Sequence, residues 1–308
     1  MAGCETTDAA AHHLEVRFAC LCPMLRNLPA ARAVLVLCGS LAAAMPTRLP
    51  ADPPGLAVRC GQVIHNPLGG DKKSRNMWSQ YLQDYTVWAH HYRHQPRRQL
   101  FYVDIGANEP QSLSNTYFFD RCLGWRGICV EPQRTYHAKL LEMRTCELIP
   151  TCVSDRKRTV EFLNAANLGG VSVTNDNLQQ SLRRRRHNST RELTSAGDRT
   201  TEARMRSAGS EEMTCVPVST MLGRRGTTHV DLMSIDVEGH ELEVLRGIDW
   251  NATTVDVIVV ERNSRWKEAN RFLGARGFHR SPKNHEVYIH KRVRWGQSPS
   301  LLGRVFGS

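Results

Sequence analysis

The stretch Val230–Gly247, VDLMSIDVEGHELEVLRG, decides how this chain is read. Val230 to Asp236 (VDLMSID) is a short apolar run that ends in a carboxylate, the pattern of a buried parallel strand. Gly239 lets the backbone turn at once. His240 to Arg246 then has helical spacing. Strand, acid, turn and helix in that order describe the carboxyl edge of a doubly wound sheet, where ligands bind.

The same design recurs on either side. Leu100 to Asp104 (LFYVD), Gly127 to Glu131 (GICVE) and Val255 to Glu261 (VDVIVVE) are apolar runs closed by an acid. Leu148 to Val153 reads as a further strand, Tyr136 to Arg144 as a helix and Gly277 to Lys291 as a terminal hairpin. Met77 to Tyr92 carries apolar residues at helical spacing and reads as an amphipathic helix. Strands alternating with helices predict an α/β fold with a mostly parallel sheet and helices on both faces.

Carboxylates are costly to bury without partners. Any one of Asp104, Glu131, Asp236 and Glu261 is explained as a solvated cap; all four at one edge point to a ligand site. The loop Asp104-Ile105-Gly106-Ala107-Asn108 lacks the G-x-G-x-x-G of a dinucleotide site, which argues against a nicotinamide-dependent oxidoreductase. Glu131 follows the next strand, where a ribose-binding acid belongs. Asp236, Glu238 and His240 share one short loop and are the candidates for proton removal. Histidine suits neutral pH, and a carboxylate in a closed apolar pocket also serves. The plain structural reading of His240 is a first-turn helix residue facing solvent. Glu241 is placed to cap that helix.

These stretches resemble the FkbM-type family of S-adenosylmethionine-dependent methyltransferases. The resemblance rests on SQYLQD (Ser79–Asp84), VDIGANEPQSLSNTYFFD (Val103–Asp120), GWRGICVEP (Gly124–Pro132), VDLMSIDVEGHELEVLRG and VIVVE (Val257–Glu261), in that order. It implies a Rossmann-like class I sheet of seven strands, the last antiparallel. It implies S-adenosyl-L-methionine as cofactor and O-methylation of a sugar, glycan or small-molecule hydroxyl, without a metal. It places Asp104, Gly106 and Asn108 at the methionine end, Ser114 beside them, Glu131 on the ribose, Asp155 at the adenine amino group and Asp236 near the sulfonium. The chain departs from the family at Asn108-Glu109-Pro110, where many relatives have a glycine or Asp-Gly. A non-catalytic binding or trafficking module of the same fold group is the remaining alternative, and the retained acids argue against it.

The net charge of +11 favours acidic partners, but much of it lies outside the expected core. No aromatic-interleaved basic platform supports an RNA substrate. Residues 1–65 read as a targeting or disordered segment, 66–292 as the catalytic domain and 293–308 as a tail. The apolar run Ala33–Met45 is short for a bilayer span. It fits a signal peptide or anchor, with membrane association; its arginine-rich surroundings also fit a transit peptide, and a disordered tail fits as well. Ser181 to Glu212 opens on four arginines and has few apolar residues, so it reads as a flexible insertion. Ten cysteines include no C-x-x-C, which leaves a zinc site unsupported. Cys129 reads as a small buried hydrophobe, and Cys146 and Cys152 are candidates to pair. Asn188-Ser189-Thr190 and Asn251-Ala252-Thr253 are glycosylation triplets of a kind that also arises by chance.

Overall fold

The structure, a computed structural model, describes residues 51–67, 77–93, 99–176, 178, 179 and 209–293. Strands β1 (Phe101–Ile105), β2 (Arg126–Val130), β3 (Glu147–Ile149), β8 (His229–Ile235) and β9 (Thr254–Val260) run parallel. The antiparallel pair β10 (Phe278–Arg280) and β11 (Val287–His290) closes the sheet, as the hairpin reading expected. The order is β10-β11-β9-β8-β1-β2-β3, with β11 antiparallel to both neighbours, so the sheet is mixed. Connections leave β1 in one direction and β8 in the other. The crevice between these two strands is the switch point of the fold.

Successive residues on a strand face opposite sides of the sheet, and both sides are apolar. Tyr102, Cys129, Leu232 and Val257 face α1 (Leu56–His65), the segment Gln83–Tyr92 and α3 (Arg134–Met143). Val103, Ile128, Met233 and Ile258 face α4 (Val218–Gly223), α5 (Glu241–Arg246) and α6 (Trp266–Gly274). Burial on both faces explains why these strands read as continuous apolar runs rather than as alternation.

Several expectations are corrected. Met77–Tyr92 is not one helix. Trp78 and Ser79 donate their backbone N–H groups to the buried Asp84 carboxylate, which folds residues 77–82 into a turn. Only Gln83–Val87 (α2) is α-helical, and Trp88–Tyr92 continues it as a π-helical turn. Leu148–Val153 is two strands: Pro150 has no N–H for a ladder, and the chain leaves β3 to enter β4 (Cys152–Val153) of a second sheet.

That sheet, in the order β4-β7-β5-β6, includes β5 (Arg158–Asn164), β6 (Gly170–Val171) and β7 (Gly209–Val216). Gly209–Glu212, expected in the flexible insertion, lie in β7 and pair with Glu161–Asn164. A ladder made of backbone hydrogen bonds needs no apolar side chains, so composition misread them. Residues 181–208 lie outside the described residues. The boundary expected after residue 65 also falls inside the core, since α1 buries Leu56, Cys60 and Val63.

Disulfides join Cys60 to Cys122, Cys129 to Cys146 and Cys152 to Cys215. Cys129 is therefore a cross-link, and Cys146 and Cys152 have other partners. No helix among the described residues is long and apolar enough to cross a membrane; the run 33–45 lies outside them. The Cys152–Cys215 bond closes a loop of 63 residues. Its replacement by two serines should lower the unfolding free energy by about 2–5 kcal/mol, read by urea denaturation. An unchanged midpoint would mean that the ladder alone holds the second sheet.

Candidate functional site

A cavity of about 790 Å³ opens at the carboxyl edge of the sheet. Asp104, Gly106, Asn108, Ser114, Glu131, Asp236, Glu238 and His240 all line it. Asp155, expected at an adenine, does not. Burial pushes its carboxyl up, but the Ser154 hydroxyl, Arg158 and Arg156 outweigh this and hold it below the usual value. Asp155 forms ion pairs with Arg156 and Arg158 at 2.9 Å each. Thr151, Cys152, Val153 and Phe162 line the cavity in that part of the chain.

Two loops meet at the switch point. Gly106 lies at φ 83°, and a Cβ there would stand 1.9 Å from the Asp236 carbonyl oxygen. Only glycine allows this approach. Asn108 donates its N–H to Glu131 Oε2 (2.8 Å), and Gln133 donates to Oε1 (2.7 Å). Glu131 thus ties the first loop to the second and presents its remaining lone pairs to the cavity. Burial raises its carboxyl to about 7.

Beneath the first loop lies Arg144, a residue the sequence reading left unremarked. Its side chain is wholly buried. Nε donates to Asp120 (2.5 Å), Nη2 to Thr116 Oγ1 (2.6 Å) and Tyr102 OH (3.1 Å), and Nη1 to Ser114 Oγ (3.3 Å) and the Pro110 carbonyl (3.3 Å). Asp104 stands 3.6 Å from Nη1 and accepts from Thr116 Oγ1. Burial pushes the Asp104 carboxyl up, and Arg144 pulls it only part of the way back. Ser114 Oγ also accepts from the N–H groups of Thr116 and Tyr117.

Next to Ser114, Asn115 donates to Ser234 Oγ at 3.1 Å. Its Oδ1 is buried on the cavity wall without a hydrogen-bond partner. The Ser-Asn-Thr stretch was part of the motif, but nothing in it marked the amide as an open acceptor.

At the far wall, Asp236, Glu238 and Glu261 bring carboxylate oxygens within 4.8 Å of one another. Asp236 and Glu261 are hydrogen-bonded. Burial raises Asp236 to about 6, and burial with the neighbouring Asp236 and Glu238 charges raises Glu261 well above its ordinary value. Two carboxylates this close and this buried disfavour being ionised together. Glu286, which the sequence reading passed over, joins this wall and accepts from Gln83 Nε2 at 2.6 Å.

The intervening loop is stapled from three sides. Glu241 Oε1 accepts from the N–H groups of Val237 and Gly239 (3.1 Å each), so it pins the loop before the helix rather than capping the helix as expected, and Asn263 donates to Oε2. Asp176 N–H donates to the Glu238 carbonyl at 3.1 Å. Glu238 lies at φ 55°, a left-handed position rare for a residue with a side chain. His240 does not face solvent. It is 1% exposed, with Nε2 3.0 Å from Ser154 Oγ and Nδ1 2.9 Å from Thr174 Oγ1. Burial lowers its pKa to about 4, so it is neutral at physiological pH.

Arg144→Met leaves Asp104 and Asp120 buried without their cation. It should cost about 3–5 kcal/mol in denaturant titration. Arg144→Lys cannot rebuild the planar set of donors and should not restore the loss. Glu131 gives a pH test. Its pKa is raised on folding, so the stability of its neutral form is full below about 4.5 and is lost as pH rises through about 7. Relative to Glu131→Gln, the wild type should lose stability across that window. A relative gain would contradict the assignment.

The model of the methyltransferase FkbM domain matches residues 104–292. The crystal structure of methyltransferase FkbM from Methylobacillus flagellatus KT is similar, at 14% identity and a TM-score of 0.36. The match covers 84% of this chain and 60% of that one, so this chain spans less than two thirds of its neighbour. No curated protein matches. The family match covers the loops, the strand-end acids and all of the cavity lining except Gln80, Tyr81 and Gln83, and on it this chain belongs to the FkbM methyltransferase family.

Proposed function

We propose that this chain transfers the methyl group of S-adenosyl-L-methionine to a hydroxyl group of a sugar, glycan or small molecule. One observation carries the reading: the cavity at the switch point is walled by carboxylates. Asp104, Glu131, Asp236, Glu238, Glu261 and Glu286 all line it. Such a wall attracts a cationic sulfonium and ammonium and repels a pyrophosphate. The same observation argues against the nicotinamide alternative. A volume of about 790 Å³ lies in the range of small-molecule sites.

The residues present fit this cofactor. Glu131 has lone pairs for two ribose hydroxyls, and the open Oδ1 of Asn115 suits an ammonium donor. When bound, the cofactor supplies a methyl group that needs no further activation. What the chain adds is alignment, exclusion of water and a place for the acceptor proton. Asp236, with its pKa near 6 and its bond to Glu261, is suited to take that proton. Both ring nitrogens of His240 are engaged, which favours a positioning role for it between Ser154 and Thr174. Tyr81 is 58% exposed at the cavity rim beside Gln80 and Gln83. An open aromatic face among amides suits a sugar ring.

Two measurements test the reading. Glu131→Ala should weaken S-adenosylmethionine binding by about 1–3 kcal/mol in calorimetry; unchanged affinity removes Glu131 from the ribose. In a screen of hydroxyl acceptors with labelled cofactor, Asp236→Asn should lower turnover by about 10²-fold or more. Wild-type activity should rise through a limb near pH 6, where Asp236 loses its proton. Full turnover in Asp236→Asn defeats the catalytic assignment.

A further inference from the structure

We propose that Asn251 carries an N-linked glycan, added in the lumen of the secretory pathway. The acceptor triplet Asn251-Ala252-Thr253 has no proline at its centre. The structure places it in the turn between α5 and β9. Asn251 and Ala252 are exposed. The turn is held by Asp249, whose Oδ1 accepts from the N–H groups of Asn251 (3.0 Å) and Ala252 (3.2 Å) and whose carbonyl accepts from Thr253 N–H (2.8 Å). The Asn251 side-chain amide is not part of that frame.

The turn leads into the first residue of β9, at the edge of the sheet opposite the cavity. A bulky glycan there projects into solvent and leaves the site open. Thr253 is buried in the folded chain. Its hydroxyl is therefore presented to the transfer machinery before β9 docks, which requires addition to the emerging chain.

The second observation is independent of the triplet. Among the described residues every cysteine is cross-linked, in three disulfides that span 62, 17 and 63 residues. Thiols in a reducing compartment stay reduced, and structural disulfides of this kind form in an oxidising one. N-linked transfer occurs in such a compartment, so cross-links and triplet select the secretory reading of the N-terminal segment over the transit-peptide reading. The step is a glycosyl transfer from an oligosaccharide on a lipid diphosphate. Asn251 Nδ2 forms a bond to the anomeric carbon, and the bond from that carbon to the diphosphate oxygen breaks. The diphosphate leaves with the electron pair, and the amide proton passes to base.

The test is made on the full chain, expressed with its own N-terminal segment in a eukaryotic secretory cell. Tryptic peptides are treated with peptide N-glycosidase in ¹⁸O-water. The peptide holding Asn251 is expected to be recovered as the oxygen-labelled aspartate, and Asn251→Gln is expected to lose one glycan in mass. Recovery of the wild-type peptide with unmodified asparagine overturns the proposal, whether or not the variant folds. Asn188-Ser189-Thr190 lies outside the described residues, and the peptide-level readout keeps the two triplets apart. Non-reducing peptide maps should show the three cross-links in the secreted protein, and free thiols at Cys152 and Cys215 would contradict the compartment.

Discussion

The buried guanidinium of Arg144 is the interaction on which the rest of the site depends. A cation with no access to water is tolerable only if its donors are met and its charge is answered. Here Asp120 and Asp104 answer the charge, while Thr116, Tyr102, Ser114 and the Pro110 carbonyl meet donors. The partners come from β1, from the loop after it and from the turn that leads to β2. One side chain from the end of α3 therefore fixes the floor under the first loop. Cys146, two residues on, is cross-linked to Cys129 in β2. The backbone that carries Arg144 is held from that side as well.

Above this floor the charge is one-sided. Arg144 compensates Asp104, but Glu131, Asp236 and Glu261 are raised, first by burial and then by neighbouring carboxylates: Asp104 beside Glu131, Glu286 and Asp104 beside Asp236, and Asp236 and Glu238 beside Glu261. Raised carboxylates cost stability near neutral pH, because ionising them in place is harder than in the unfolded chain. A cationic ligand reverses that cost. Stability and binding are thus opposite readings of the same carboxylates, and the strained φ of Glu238 adds a further local cost at the same wall.

Much of the architecture was legible because β1, β2, β8 and β9 are buried on both faces and closed by an acid. Val230–Asp236 and Val255–Glu261 needed no context beyond their own residues. The misreadings share a cause: the interaction that decided them was not periodic. Asp84 reaches back to Trp78 and Ser79 and unwinds an apparent helix. Gly209–Glu212 pair through backbone groups that composition does not encode. At the site, the strand-end acids Asp104, Glu131, Asp236 and Glu261 stood out in sequence, whereas Glu286, which closes no strand, did not. Arg144 did not, because a basic residue at a helix end ordinarily reads as a solvated dipole partner. His240 was read from its chemistry, and its burial depends on Ser154 and Thr174, which are distant in sequence.

On the function proposed above, the acid-walled cavity receives a sulfonium nucleoside with its ribose on Glu131. The most direct measurement is a crystal structure of the full chain with S-adenosylhomocysteine. Both ribose hydroxyls are expected to donate to the Glu131 carboxylate, with the amino-acid end toward Asn115 and Asp104. A nucleoside bound elsewhere, or density in the cavity with no contact to Glu131, would contradict it.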